Sequence, residues 1–186
     1  MIGEICKSPH IEYMKDLKKN MKCSVYVEIG VLYGGSMIEQ MKDSQECIFI
    51  GIDPFTGYYG NSYDPHRKVD LSNHYDIVKK NIDENNPNNH KYHLLKGFSN
   101  DMVDEFKKLN LQIDYLFIDG DHSYKGVMDD FNNYLPFVKK DGFIVFDNYN
   151  DNAWKEVTTA VDELLKKDNN IQLVKKCGKC CVVQKI

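Results

Sequence analysis

Arginine is nearly absent from this chain. Of its 24 basic residues only Arg67 is arginine, and 28 acidic residues leave a net charge of −4. A nucleic-acid binder normally shows a basic excess, so no nucleic-acid partner is expected. Long apolar runs are absent too. Nothing approaches the ~18 residues of a membrane span, so no membrane partner is expected. The opening MIGEICKSPHIEYMKD lacks the continuous apolar stretch of a signal peptide, which makes a cytoplasmic place the expectation. Six cysteines among 186 residues are too sparse for a disulfide scaffold. Cys177, Cys180 and Cys181 have no second Cys/His pair at finger spacing, so zinc is not expected there. No repeat, linker or low-complexity run divides the chain. Its length, with 42% hydrophobic residues, suits one domain over residues 1–186.

What the chain does have is alternation. Ser24–Ile29, Cys47–Ile52, Tyr92–Leu95, Tyr115–Ile118 and Phe143–Phe146 are short, β-branched or aromatic, and apolar on both sides, as buried parallel strands are. Between and after them, Ser36–Lys42, Ser72–Asn85, Ser99–Leu109, Tyr124–Val138 and Ala153–Lys167 have helical character. Ile11–Asn20 reads as a short amphipathic helix within an N-terminal region 1–22. Ile171–Lys175 and Cys181–Gln184 flank a Cys-Gly-Lys-Cys turn and read as a β-hairpin. The expected fold class is therefore α/β: a mostly parallel seven-stranded sheet, helices on both faces, and a C-terminal antiparallel hairpin. Segment 54–72 breaks the short-loop pattern. It is rich in Gly, Asn and Asp, carries Tyr58, Tyr59 and Tyr63, and reads as an active-site loop.

In an open α/β sheet, ligands bind beyond the carboxyl ends of the strands. The first strand runs into Glu28-Ile-Gly30 and then Gly34-Gly35-Ser36 at the start of a helix. The glycines permit a tight turn close to a ligand, although an ordinary turn would look the same. The spacing is neither that of the dinucleotide motif nor that of the P-loop. Asp53 ends the second strand, 23 residues beyond Gly30, where an acid commonly takes ribose hydroxyls. Ser99 and Asn100 follow the third strand, either as a helix cap or facing an adenine. Asp119 ends the fourth strand, and Asp147 and Asn148 end the fifth. Together they offer three hard oxygen donors of the kind that suit Mg²⁺ or Ca²⁺. His122 overhangs the same rim, and histidine is readily tuned for proton transfer near neutral pH.

The stretches VEIGVLYGGS, GIDPFTGYYG, LFIDGDHSYKGVMDDF and GFIVFDNY resemble class I S-adenosylmethionine-dependent methyltransferases, in particular small-molecule and sugar O-methyltransferases. The likeness runs from about Tyr26 to the C-terminal hairpin and implies a Rossmann-like fold. It implies that Glu28 and Gly30, in one glycine turn with Gly34, line the methionine end of the cofactor, and that Ser36 touches its carboxylate. Asp53 matches the ribose acid, and Ser99 and Asn100 match the adenine segment. Asp119, Asp147 and Asn148 match the magnesium ligands of catechol-type enzymes, with the same 28-residue gap between the aspartates. Asp119 counts also with the cofactor-binding and catalytic residues. His122 stands where the general base stands, Lys in catechol enzymes and His in macrolide-sugar enzymes.

Two departures stand out. Little chain precedes the first strand to cover an acceptor, and some sugar-type relatives carry Glu-Asp where this chain has Asp147-Asn148. The implied activity is magnesium-dependent methyl transfer to a hydroxyl of a small molecule or sugar, with a homo-oligomer allowed for. A nicotinamide-dependent oxidoreductase and a non-catalytic S-adenosylmethionine-binding module are the competing readings.

Overall fold

The computed structural model describes residues 9–42, 44–56 and 73–186. The expected active-site loop, with its three tyrosines, lies outside that description from residue 57 onward. The strands are β1 (Val25–Ile29), β2 (Ile48–Asp53), β3 (Tyr92–Lys96), β4 (Ile113–Ile118), β5 (Val138–Phe146), β6 (Ile171–Cys177) and β7 (Cys180–Lys185). They form one sheet in the order β3-β2-β1-β4-β5-β7-β6. The first five are parallel, and β7 runs antiparallel between β5 and β6. The helices are α1 (Pro9–Asn20), α2 (Gly35–Lys42), α3 (His74–Asn85), α4 (Val103–Lys108), α5 (Tyr124–Tyr134) and α6 (Lys155–Lys167). None of the helices among the described residues is long and apolar enough to cross a membrane.

The period of two along each strand sorts the apolar residues onto two faces. Val25, Val27, Ile29, Ile50, Ile52, Leu116, Ile118, Ile144 and Phe146 pack under Phe106 of α4, Val127, Phe131 and Tyr134 of α5, and Val157, Val161 and Leu164 of α6. Tyr26, Phe49, Tyr115, Phe117 and Val145 face the other way, against Ile11 and Met14 of α1, Met37, Ile38 and Met41 of α2, and Val78 and Ile82 of α3. Each fully buried side chain of this size contributes ~1.5–3 kcal/mol by leaving water. Both sheet faces are thus covered, as the alternation of elements implies.

Element boundaries differ from the sequence reading where polar residues or proline intervene. The helix read as Tyr124–Val138 stops at Tyr134, and Leu135–Phe137 form a 3₁₀ turn. Pro136 has no N–H to continue the ladder, so although Leu135 keeps helical geometry and bonds Phe131, the α-helical pattern tightens there. β5 then begins at Val138, ahead of its apolar run, because Val138 pairs with Ile113 and the polar Lys139 to Asp141 lie in an irregularity before pairing resumes at Phe143. Ser99–Met102 is a 3₁₀ turn, and α4 proper starts at Val103.

Strand order reverses between β1 and β4, and this opens the crevice. At that point Gly30 has φ +87°, and a Cβ there would lie 2.0 Å from the Asp119 carbonyl oxygen. Gly34, with φ +82°, would place a Cβ at least 3.4 Å from its neighbours Ile82 and Val78. Gly30→Ala therefore meets both backbone strain and a clash with main chain, whereas Gly34→Ala meets strain alone. The expected loss is ~3 kcal/mol or more at Gly30 and ~1–2 kcal/mol at Gly34. Urea unfolding of both variants checks this, and equal losses would contradict the close approach of Gly30 to Asp119.

Candidate active site

Beyond the C-terminal ends of β1, β2 and β4 lies a cleft of about 960 Å³. Gly30 and Leu32 line it after β1, Asp53 and Pro54 after β2, Phe98 and Ser99 after β3, and Asp119 to Ser123 after β4. Asn152 to Glu156, leading into α6, close the far wall. A shallower polar hollow of about 320 Å³ shares Asn152 and Lys155 with it and continues over Thr158, Thr159 and Asp162.

The turn after β1 is held by carboxylates. Asp53 Oδ2 accepts hydrogen bonds from the backbone N–H of Val31 at 2.9 Å and of Leu32 at 3.2 Å, and its Oδ1 accepts from Phe55 N–H at 2.6 Å. Asp53 thus shapes the turn and also lines the cleft. Glu28 lies beneath, fully buried, accepting from Tyr26 OH at 2.7 Å and from the Ser36 hydroxyl at the start of α2. Burial pushes its carboxyl up to about 8. The hydrogen bonds from Ser36 and Tyr26 oppose the shift, and Asp119 and Asp53 add to it. Glu28 and Ser36 are brought together, but neither they nor Gly34 form the cleft wall.

At the β3 side the Ser99 hydroxyl donates to Asp130 Oδ1, and Tyr134 OH donates to the Ser99 carbonyl at 2.8 Å. Asn100 turns outward, donating to Asp129 at 3.2 Å and accepting from Asn133 at 2.6 Å. Asp130 was not singled out from the sequence. It sits three residues after Val127 and four before Tyr134, on the buried stripe of α5. A carboxylate on an apolar helix face was the available signal.

The rim at β4 and β5 gathers the ionisable groups. His122 Nε2 lies 3.1 Å from Asp119 Oδ1. The His122 ring packs at a tilt of 38° on Trp154, the chain's single tryptophan, with centroids 4.5 Å apart. Burial and the nearby Asp147 charge push Asp119 up to about 7, with His122 opposing. Burial works against an imidazolium at His122, but its hydrogen bond to Asp119 and the charges of Asp119, Asp147 and Asp121 outweigh it, and its pKa is raised. Asp147 Oδ1 accepts from the buried Cys180 thiol at 3.2 Å, a neighbour the sequence did not announce. The Asn148 side chain is turned to Asp151.

Among the described residues, no three or more His, Cys, Asp or Glu side chains are grouped to hold a metal. The Asp119 and Asp147 pair still fits a hard cation, because the Asp147 charge disfavours ionisation of Asp119 and a cation relieves that repulsion.

Residues 27–149 match the family model described as a methyltransferase domain. An uncharacterized protein of Acanthamoeba polyphaga mimivirus is 35% identical over 143 residues, 75% of this chain; the match spans 58% of that relative's length. The O-methyltransferase of Bacillus cereus, solved with S-adenosylhomocysteine, superposes with a TM-score of 0.69 at 17% identity, covering 99% of this chain and 84% of that one. CalS11, a calicheamicin methyltransferase, gives 0.71 at 15% identity, covering 94% and 78%.

Three cleft-side acids have folded pKa values above their unfolded ones, about 8 for Glu28 and about 7 for Asp119 and Asp130. Between the two values the folded chain holds protons the unfolded chain has lost, so stability falls as pH rises. The raised His122 pKa acts in the same direction. Without cofactor and in chelator, the melting temperature is expected to drop from about pH 5 to about pH 8, the window set by these shifts. Glu28→Gln should flatten the slope toward its alkaline end. Melting curves across that range check it, and an unchanged slope would remove Glu28 from the account.

Proposed function

We propose, for a chain that belongs to the methyltransferase-domain family, that it transfers a methyl group from S-adenosylmethionine to a hydroxyl of a small polar acceptor. The observation that carries this reading is the Asp119–His122 pair, its imidazole packed on Trp154, at the edge of a cleft floored by Gly30. When bound, the cofactor supplies an electrophilic methyl group on a sulfonium. Asp119 and Asp147, with Asn148 once released from Asp151, would hold a magnesium ion, which would supply Lewis-acid activation of an acceptor hydroxyl.

The remaining work falls to the chain. With Nε2–H donated to Asp119, His122 keeps its lone pair at Nδ1, where it takes the acceptor's proton. Trp154 fixes the imidazole plane. Gly30 leaves the floor open, and the turn carrying it is held by Asp53 through the Val31 and Leu32 amides. Holding two reactants in one orientation provides much of the rate. Ser99 and Asn100 remain our assignment for the adenine end, and Glu28, Gly34 and Ser36 act from beneath the turn.

A sugar is the acceptor class we favour. The cleft runs on through Asn152 and Lys155 into a hollow lined by Thr158, Thr159 and Asp162, polar groups that match hydroxyls better than a flat ring. CalS11, similar in fold, is a TDP-rhamnose 3′-O-methyltransferase. A cytoplasmic enzyme acting as a single domain, with a homo-oligomer allowed for, completes the proposal.

S-adenosylhomocysteine is expected to raise the melting temperature and NAD to leave it unchanged. Methyl transfer from labelled cofactor to nucleoside-diphosphate sugars should exceed transfer to catechols and should vanish in chelator. His122→Ala should lower kcat by roughly 10²–10⁴-fold with S-adenosylhomocysteine affinity kept. A variant that is less stable yet fully active would end the base assignment.

A further inference from the structure

The adenine end contains an acid that none of these roles uses. Asp130 is 2% exposed, yet it lines the cleft between Ser99 and Gly120. Its neighbour Asp129 is paired with Lys125, whereas no Lys, Arg or His bonds Asp130 among the described residues. Ser99 occupies Oδ1. Among the described residues Oδ2 has no hydrogen-bond donor, and it is not sealed from solvent. Gly120 leaves that oxygen uncovered, since a Cβ there would lie 3.0 Å from it. Phe98, 56% exposed beside Ser99, offers an apolar surface to a ring at the same end of the cleft.

A nearly buried carboxylate oxygen without a donor is costly, and a ligand N–H that reaches it is correspondingly favoured. We propose that Asp130 reads the 6-amino group of the cofactor's purine, so that the cleft selects adenine over a 6-oxo purine. The inference rests on the cofactor assigned above. A 6-amino group donates to Oδ2, whereas a 6-oxo group turns a second acceptor toward it. Burial pushes Asp130 up to about 7, opposed by the Ser99 hydroxyl and aided by Asp121 and Asp129, so selection is sharpest above neutral pH, where the carboxylate is ionised. The competing reading is that Asp130 only braces Ser99 against α5.

Calorimetry at pH 8.5 on the full chain, with S-adenosylhomocysteine, its inosine counterpart and its N6,N6-dimethyl counterpart, separates the two. The wild type is expected to bind the adenosine form at least about tenfold more tightly than either analogue, the range of a hydrogen bond to a charged group. Asp130→Asn should bring the inosine form to within about threefold, because an amide can also donate to a 6-oxo group. If all three ligands bind the wild type equally, Asp130 does not read the base, while the cofactor reading stands. If Asp130→Asn lowers the melting temperature and leaves the ligand ratios unchanged, Asp130 is a brace only. Should that variant fail to fold, the three wild-type affinities decide alone. No binding of S-adenosylhomocysteine at all would remove this proposal and the cofactor reading together.

Discussion

The close approach of Gly30 to the Asp119 carbonyl governs the layout of the cleft. The two strands that flank the reversal point turn outward from one shared contact, with no side chain between them. A Cβ at Gly30 would force β4 and the Asp119–His122 loop away from β1. That contact sets the direction in which Asp119 leaves the sheet, and hence where His122 stands. Asp53 reinforces it from the neighbouring strand. By accepting from Val31 and Leu32, its carboxylate fixes the turn immediately after Gly30. The anion expected to face a ribose therefore also supports the backbone that a cofactor would approach.

The chain's frame was legible because both sheet faces are buried. Continuous apolar runs marked β1, β2 and β4, and helical spacing marked α5 and α6. Strands with an exposed or polar stretch were harder to delimit. β6 is exposed along most of its length and ends within lysine-rich sequence, and in β5 the first paired residue, Val138, is set apart from the apolar run by Lys139 and Lys140. Local sequence could not announce Pro136's effect on α5 in full, since a proline can also sit inside a kinked helix.

The candidate site was legible as a set of strand ends, not as a set of contacts. Position along the chain located Asp119, His122 and Asp147 on one rim. It could not show that Asn148 turns to Asp151 or that Asn100 faces Asp129 and Asn133, because those orientations depend on residues packed from other elements. Trp154 and Asp130 escaped for the same reason. Each belongs to a helix or helix entry whose face is fixed only when α5 and α6 dock on the sheet. Their signals were nevertheless present: one tryptophan in the chain, and one carboxylate on an apolar stripe.

Charge links these parts to the kind of ligand the cleft can hold. Among the described residues, Asp53, Asp119, Asp121, Asp130 and Glu156 line it, Glu28 lies under its floor, and the cationic side chains on its wall are Lys155 and, when protonated, His122. Such a field adds to burial in raising the pKa of its own acids, as at Glu28 and Asp119, and draws positive charge inward. A nicotinamide dinucleotide would have to place a doubly negative diphosphate near β1, where the turn lacks the dinucleotide glycine spacing and the nearest side chains are carboxylates. A sulfonium cofactor brings the opposite sign, and so does a divalent cation at Asp119 and Asp147. After methyl transfer the sulfur is neutral, so the attraction that favours the charged donor is lost by its product. The same excess of carboxylates that destabilises the unliganded fold as pH rises would therefore favour a charged sulfonium over its neutral product.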